Sequence, residues 1–299
     1  VLTPEADIAV DPRLVAALIE AQHPDLAGPL TLVADGWDNV IYRLGDTHAV
    51  RIPRRKVAVP LLVTEQLWLP RFAPRLPVDV PAPVAIGLPS AAFDWPWSIV
   101  PWFDGVDGAD VTGAERASLA HPLAEFVAAL HIPAPADVAV PHNPVRGVPL
   151  ATRDAAVRER IAHLAERQDV TSLTAAWEHA LSAPAWEGPP LWLHGDLHPG
   201  NLLLTPDRAG LRAVIDFGDL TAGDPATDLA TAWLTFEPDA RDAFRSRLAE
   251  LTTPDDATWQ RALGWAVAMG TALAAHSDDN PRMAAIGRHA LEQLVGEAA

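Results

Sequence analysis

The segment His194-Gly195-Asp196-Leu197-His198-Pro199-Gly200-Asn201 constrains the fold most, because it lies between two short apolar runs, Leu191–Leu193 and Leu202–Leu204. A third run, Leu211–Ile215, leads into Asp216-Phe217-Gly218-Asp219. Short apolar runs bracketing a polar loop read as strands, so strand ends bring Asp196, Asn201 and Asp216 to one place. Asp196 and Asn201 stand five residues apart. This set suits phosphoryl transfer, in which one carboxylate accepts the proton of a hydroxyl while an amide and a second carboxylate hold Mg2+ against nucleotide phosphates. Asp196 is thus the candidate catalytic residue, and Asn201 and Asp216 are the candidate metal ligands.

At 299 residues and 49% hydrophobic content, the chain can bury one large core or two modest ones. The absence of cysteine excludes disulfides and thiolate metal sites. Val1–Asp11 is acidic and carries no basic, apolar leader, so a cytoplasmic protein is expected. The longest uncharged stretch, Ala262–Ala275, falls short of the ~20 apolar residues of a membrane span and reads as a buried helix. A formal charge of −17 argues against nucleic acid or acidic membranes as partners. No obligatory protein partner is evident, which leaves small molecules.

The pattern expects an α+β fold. Leu30–Val33, Val40–Leu44, His48–Ile52, Val84–Gly87 and Ser98–Trp102 read as short strands, with a helix inserted at Val59–Leu69. An earlier helix, Pro12–Gln22, takes Asp11 as N-cap and Pro12 at its first position. Beyond Phe103 the pattern turns helical. Thr112 and Glu115 form a capping box that opens a helix to about His131. Further helices are expected at Ala151–Arg167, Ser172–Ser182, Pro225–Phe236, Asp239–Leu251, Pro254–His276 and Pro281–Gly296. The proline-rich Ile132–Pro149 reads as an irregular surface connection.

His194-Gly195-Asp196 followed by Asp216-Phe217-Gly218-Asp219 resembles the paired signature of the protein-kinase-like fold, in the variant carried by the aminoglycoside phosphotransferase family. The resemblance runs from about Gly36 to Asp228. It implies two lobes: residues 1–103, a small antiparallel-sheet nucleotide lobe ending in a hinge, and residues 104–299, a larger, mainly helical catalytic and substrate lobe. Kinases place a lysine on the third strand, two residues after an alanine. This chain has Ala49-Val50-Arg51, and strand alternation puts Ala49 and Arg51 on one face, so Arg51 is expected to meet the phosphates. Lys56, the only lysine, lies beyond Pro53 and is the poorer candidate. Glu65 matches the glutamate that orients the strand cation; the alternative is an ordinary surface ion pair worth at most ~1 kcal/mol. Ala34–Asn39 stands where a glycine-rich loop would lie but contains only Gly36, which shifts phosphate binding toward Mg2+ and Arg51; a simple hairpin turn explains Gly36 equally well. Ser98–Phe103 matches the hinge, with Ile99, Val100, Pro101 and Trp102 beside the purine. His194 and Asp228 are expected to support the catalytic loop, while His198 and Asp219 carry no assigned role.

Trp233, Phe236, Trp259, Trp265 and Met269, with Glu237 and His276 as sparse polar groups, read as an apolar substrate trough. Each buried ammonium needs a partner, so a polycationic aminoglycoside fits such a trough poorly and a macrolide fits it better. Filling of the helical core is the alternative. Gly36-Trp37-Asp38-Asn39, Val50–Arg55 and Val63–Pro70 resemble the macrolide phosphotransferase branch. That resemblance implies GTP as preferred donor, with ATP possible, and the 2'-hydroxyl of the macrolide amino sugar as acceptor. The alternatives are an aminoglycoside kinase, a choline- or homoserine-like metabolite kinase, and a catalytically silent binding protein of the same fold.

Overall fold

The computed structural model describes residues 4–275, 277 and 280–297. Helix α1 (Pro12–Gln22) begins where the sequence places it, with Asp11 Oδ1 accepting the N–H groups of Arg13 at 2.9 Å and Leu14 at 2.8 Å. Strands β1 (Leu30–Asp35), β2 (Asn39–Leu44) and β3 (His48–Pro53) follow, then helix α2 (Val59–Phe72), β4 (Ala85–Gly87) and β5 (Trp97–Pro101). They form a five-stranded antiparallel sheet in the order β1-β2-β3-β5-β4. Alternation along β2 buries Val40, Tyr42 and Leu44 against Val15, Leu18 and Ile19 of α1.

The rest is mainly helical. After β6 (Val106–Asp107), the Thr112–Glu115 capping box forms as expected and opens α3 (Gly113–Arg116). The helix does not run unbroken to His131. A 3-10 turn at Ala117–Leu119 precedes α4 (Ala120–Leu130), because Pro122 has no N–H to donate and its ring crowds the carbonyl four residues back. Helices α5 (Asp154–Leu164) and α6 (Thr171–Leu181) lead to β7 (Leu191–Leu193), β8 (Leu202–Leu204), β9 (Leu211–Val214) and β10 (Thr221–Gly223). β10 pairs with β7, and β8 lies between β6 and β9. The expected helix over Pro225–Phe236 is two short ones, α7 (Ala226–Leu229) and α8 (Thr231–Thr235). Helices α9 (Pro238–Leu251), α10 (Asp256–Ala275) and α11 (Pro281–Glu297) complete the chain; His276 lies outside the described residues.

The described residues form two cores. The smaller joins α1 to the five-stranded sheet. The larger gathers the helices after Phe103, but it also takes Trp68, Leu69 and Phe72 from α2. Packing therefore does not divide at residue 103. The Trp192 ring lies 4.3 Å from Trp68 and 5.1 Å from Phe72, centroid to centroid, and Val214 N–H donates to the Asp79 carbonyl at 3.0 Å. Among the described residues, no helix is long and apolar enough to cross a membrane.

Phe236 is fully buried in the larger core, against Phe244 at 5.5 Å. Phe236→Ala is expected to cost about 3–5 kcal/mol of stability through the cavity it leaves. A urea denaturation curve measures this, and nucleotide affinity of the folded fraction should stay unchanged.

Candidate active site

The loop between β7 and β8 is held from beneath by Asp228, a fully buried carboxylate on α7. Its Oδ2 accepts the His194 N–H at 2.8 Å and its Oδ1 the Gly195 N–H at 2.8 Å, while His131 Nε2 approaches Oδ2 at 3.0 Å. Burial pushes this carboxyl up, but the bond to His131 and the charges and N–H groups around it outweigh burial and hold it below the usual carboxylate range. Gly195 has φ +88°, and a Cβ there would strike the Asp219 carbonyl oxygen, so only glycine fits. His194 Nδ1 accepts the Asp196 N–H at 3.2 Å, which leaves Nε2 to donate to the Ile215 carbonyl at 3.0 Å. The imidazole thus straps the loop to the end of β9.

Asn201 Nδ2 donates to the Asp196 carbonyl at 2.8 Å, and Ile215 N–H donates to the Asn201 carbonyl at 2.9 Å. The first bond fixes the amide so that its oxygen is the open face. Asp216 follows in the left-handed region at φ +60°, its side chain 60% exposed. An amide oxygen and an exposed carboxylate are the hard donors that Mg2+ takes, with water and phosphate oxygens completing the octahedron. These residues therefore fit the metal that the resemblance implies. Among the described residues, no group of three or more His, Asp or Glu side chains could hold a metal ion by itself.

Both oxygens of Asp196 are engaged. Arg146 Nη2 donates to Oδ1 at 2.7 Å, and His198 Nε2 lies 3.2 Å from Oδ2. His198 Nδ1 accepts the Gly200 N–H at 3.1 Å, so the proton on Nε2 faces the carboxylate. Burial pushes Asp196 up, yet His198 and Arg146 together hold it well below the usual carboxylate range. Burial lowers the His198 imidazole and the Asp196 charge raises it, with a net upward shift. Asp219 accepts from Asn143 Nδ2 at 2.7 Å and lies 3.7 Å from Arg146 Nε; burial, then the Asp196 charge, pushes its carboxyl up.

On the sheet side, Ala49 and Arg51 share β3. Arg51 Nη1 donates to Glu65 Oε1 at 3.0 Å and Oε2 at 2.9 Å, and Arg51 Nη2 lies 3.6 Å from Asp216 Oδ1. With side-chain exposures of 9% and 4%, Arg51 and Glu65 are not an ordinary surface pair. Burial pushes Glu65 up to about 7 against the pull of Arg51. Lys56 is exposed on a turn past the end of β3.

Two expectations about the nucleotide segment change. Pro101 has no N–H, Trp102 N–H donates to the Thr47 carbonyl at 2.8 Å, and the Ile99 carbonyl accepts from Val84 N–H at 2.9 Å. Internal bonding thus takes up hinge groups expected to meet the purine, and Val100 is itself paired with Ala49 of β3. Gly36 N–H donates to the Asn39 carbonyl at 3.0 Å, and Arg54 Nη1 reaches the Gly36 carbonyl at 2.9 Å. The segment is a tied hairpin rather than an open phosphate loop.

The substrate expectation is corrected. Phe236 and Trp265 are 0% exposed and Trp233 and Met269 2%, so helical spacing marked the core rather than a trough. Trp233 borders a groove of about 570 Å³ with His179, Trp259 and Gln260, but no catalytic-loop residue lines it. Glu237 is exposed at the start of α9, against Gly113. Arg146, Asn143 and His131 were missed. They meet their partners across 50, 76 and 97 residues, and nothing in the local sequence signals those contacts.

Helix-rich and sheet-rich parts meet at a carboxylate, an amide and a second carboxylate, the set expected for phosphoryl transfer. The chain belongs to the phosphotransferase enzyme family, whose profile matches residues 29–265. It is similar to the GDP complex of wild-type aminoglycoside 2'-phosphotransferase-IIIa at 20% identity and TM-score 0.70, over 96% of this chain and 99% of that one. It is also similar to the apoenzyme of macrolide 2'-phosphotransferase MphH from Brachybacterium faecium at 21% identity and TM-score 0.61, over 94% and 97%. The streptomycin-ATP-APH(2")-IIa ternary complex matches at 19% identity and TM-score 0.61, over 94% and 95%. No curated protein sequence matches the chain.

Asp228→Asn removes a buried charge whose donors remain, and should cost roughly 3 kcal/mol at pH 7. The folded pKa is depressed, so the contribution is full above the unfolded value of about 4 and disappears as pH falls through the folded value. Denaturation curves should therefore show the gap between wild type and variant closing in acid.

Proposed function

We propose that this chain transfers the γ-phosphoryl group of a nucleoside triphosphate to a hydroxyl of a small molecule. The observation that supports this most is the junction of Asp196, Asn201 and Asp216 with the Arg51–Glu65 pair. Asp196 would orient the acceptor hydroxyl and take its proton late, as suits a carboxylate held at low basicity. Arg51, fixed by Glu65 and close to Asp216, would offset charge on the nucleotide phosphates. Asn201 and Asp216 would hold Mg2+, which when bound neutralises the β and γ oxygens. A pure binding protein has no need of this set, so the enzyme reading is preferred.

The acceptor we favour is an antibiotic hydroxyl, the macrolide amino-sugar 2'-hydroxyl first, with GTP as donor, ATP second, and the cytoplasm as the place of work. Three segments support it, Gly36–Asn39, Val50–Arg55 and Val63–Pro70, through their resemblance to the macrolide branch. The buried aromatics no longer contribute to that reading. Phosphate transfer from labelled GTP or ATP to erythromycin, kanamycin and choline, with and without Mg2+, tests donor and acceptor together. Turnover confined to kanamycin or choline would overturn the macrolide reading and leave the kinase standing.

Asp196→Asn should lower turnover by at least about a hundredfold while nucleotide affinity persists. Asp216→Ala should lose the Mg2+-dependent part of nucleotide affinity as well, read by titration with a nonhydrolysable nucleotide.

Arg51→Ala should weaken that nucleotide by about 1.5–3 kcal/mol through loss of a charge-assisted contact, whereas Lys56→Ala should change it little. The same titration measures both, and a larger effect from Lys56→Ala would reverse the assignment.

A further inference from the structure

His198 makes two contacts that serve different ends. Its Nδ1 accepts the Gly200 N–H at 3.1 Å, which shapes the loop, and its Nε2 lies 3.2 Å from Asp196 Oδ2, which reaches the candidate reacting group. A neutral imidazole that accepts at Nδ1 carries its proton on Nε2, so the second contact is a donated hydrogen bond.

The ring is seated from outside the loop. It is buried, and its residue opens the 3-10 turn Pro199–Asn201 from an extended backbone. Two other parts of the chain close on that turn. A Cβ on Gly108 would lie 2.6 Å from the Pro199 carbonyl oxygen, and a Cβ on Gly200 would lie 3.1 Å from both His198 Cε1 and the Met283 methyl of α11. Arg282, beside Met283, pairs with Asp107 Oδ2 at 2.6 Å and Asp110 Oδ1 at 2.9 Å, on either side of Gly108. The turn is thus clamped between residues 107–110 and the first turn of α11, and the imidazole has little room to turn.

Asp196 is less confined. Its side chain keeps 28% exposure, so packing alone does not fix the carboxylate. Two donors do, Arg146 Nη2 on Oδ1 at 2.7 Å and His198 on Oδ2. With one donor on each oxygen, the carboxylate cannot rotate about its own axis without breaking a bond. An ionised carboxylate has about four acceptor positions, so about two remain, in fixed directions, for an acceptor hydroxyl.

We infer that His198 is a positioning residue: clamped by α11 and the Gly108 turn, it fixes the plane in which the Asp196 carboxylate meets the acceptor hydroxyl. The inference deepens the phosphotransfer reading and rests on it for the reaction, but not for the bond between His198 and Asp196.

The competing role, a cap on Gly200, uses Nδ1 alone. Asparagine places an acceptor where Nδ1 stands, and glutamine places a donor where Nε2 stands, so the two variants separate the roles. The test is steady-state transfer from GTP or ATP to whichever of erythromycin, kanamycin and choline the wild type phosphorylates. His198→Asn should lower kcat at least about tenfold, with acceptor KM and affinity for a nonhydrolysable nucleotide within about twofold of wild type, and His198→Gln should recover most of that loss. Full activity in His198→Asn, or equal impairment of the two folded variants, would reduce the ring to a loop cap and overturn the inference. A second measurement needs no turnover. In a long-range 1H–15N spectrum the assigned His198 signal should show the Nε2–H form and move upfield in Asp196→Asn, as a charge-assisted hydrogen bond is weakened. An Nδ1–H form, or a signal indifferent to Asp196→Asn, would equally overturn it. If wild type phosphorylates none of the three compounds, the proposed acceptors fail, and the spectrum still decides whether His198 holds Asp196.

Discussion

The whole candidate site depends on one buried carboxylate. Asp228 has no contact with water, and an isolated charge there would cost several kcal/mol. It is tolerated because two consecutive backbone N–H groups of the catalytic loop and a histidine from the end of α4 converge on it. The dependence runs both ways. The loop cannot leave without stranding the charge, and the charge cannot be buried without the loop. His194 and Asn201 then carry the constraint outward, so Asp196 and Asp216 inherit their positions from a side chain that touches neither.

Electrostatics at this centre is balanced between close neighbours. Asp196 is flanked by His198 and Arg146, and Arg51 is divided between Glu65 and Asp216. In a chain with a formal charge of −17, two guanidinium groups, those of Arg51 and Arg146, lie against the carboxylates of the candidate site. Net charge is therefore a poor guide to the local field: the chain is acidic overall while Asp196 and Asp216 each face a guanidinium.

The sequence made legible whatever depends on neighbours along the chain. Asp11 with Pro12, Thr112 with Glu115, and the apolar triplets around His194–Asn201 each act over a few residues, and the structure forms all of them. Alternation along β3 likewise put Ala49 and Arg51 on one face. Contacts between distant segments were not legible. Arg146 and His131 look unremarkable in their own surroundings. Spacing showed that Phe236, Trp265 and Met269 share an apolar face, but an interior and a pocket present the same pattern to a helix. The bonding within the hinge was hidden for a related reason. Which N–H of a strand end is open depends on its partner, and Thr47 is 55 positions from Trp102.

Helix α2 bridges the two cores. Its first half presents Glu65 to Arg51, and its second half is seated in the larger core, where Trp68 and Phe72 clasp Trp192 on the strand that feeds the catalytic loop. Swinging Glu65 away from Arg51 would mean lifting two aromatic rings and Leu69 out of a close-packed interior. Such a displacement has no low-energy resting place. Helix α2 therefore couples the seating of the Glu65–Arg51 pair to the packing around the strand that enters the His194–Asn201 loop, so a cavity opened in one is felt in the other.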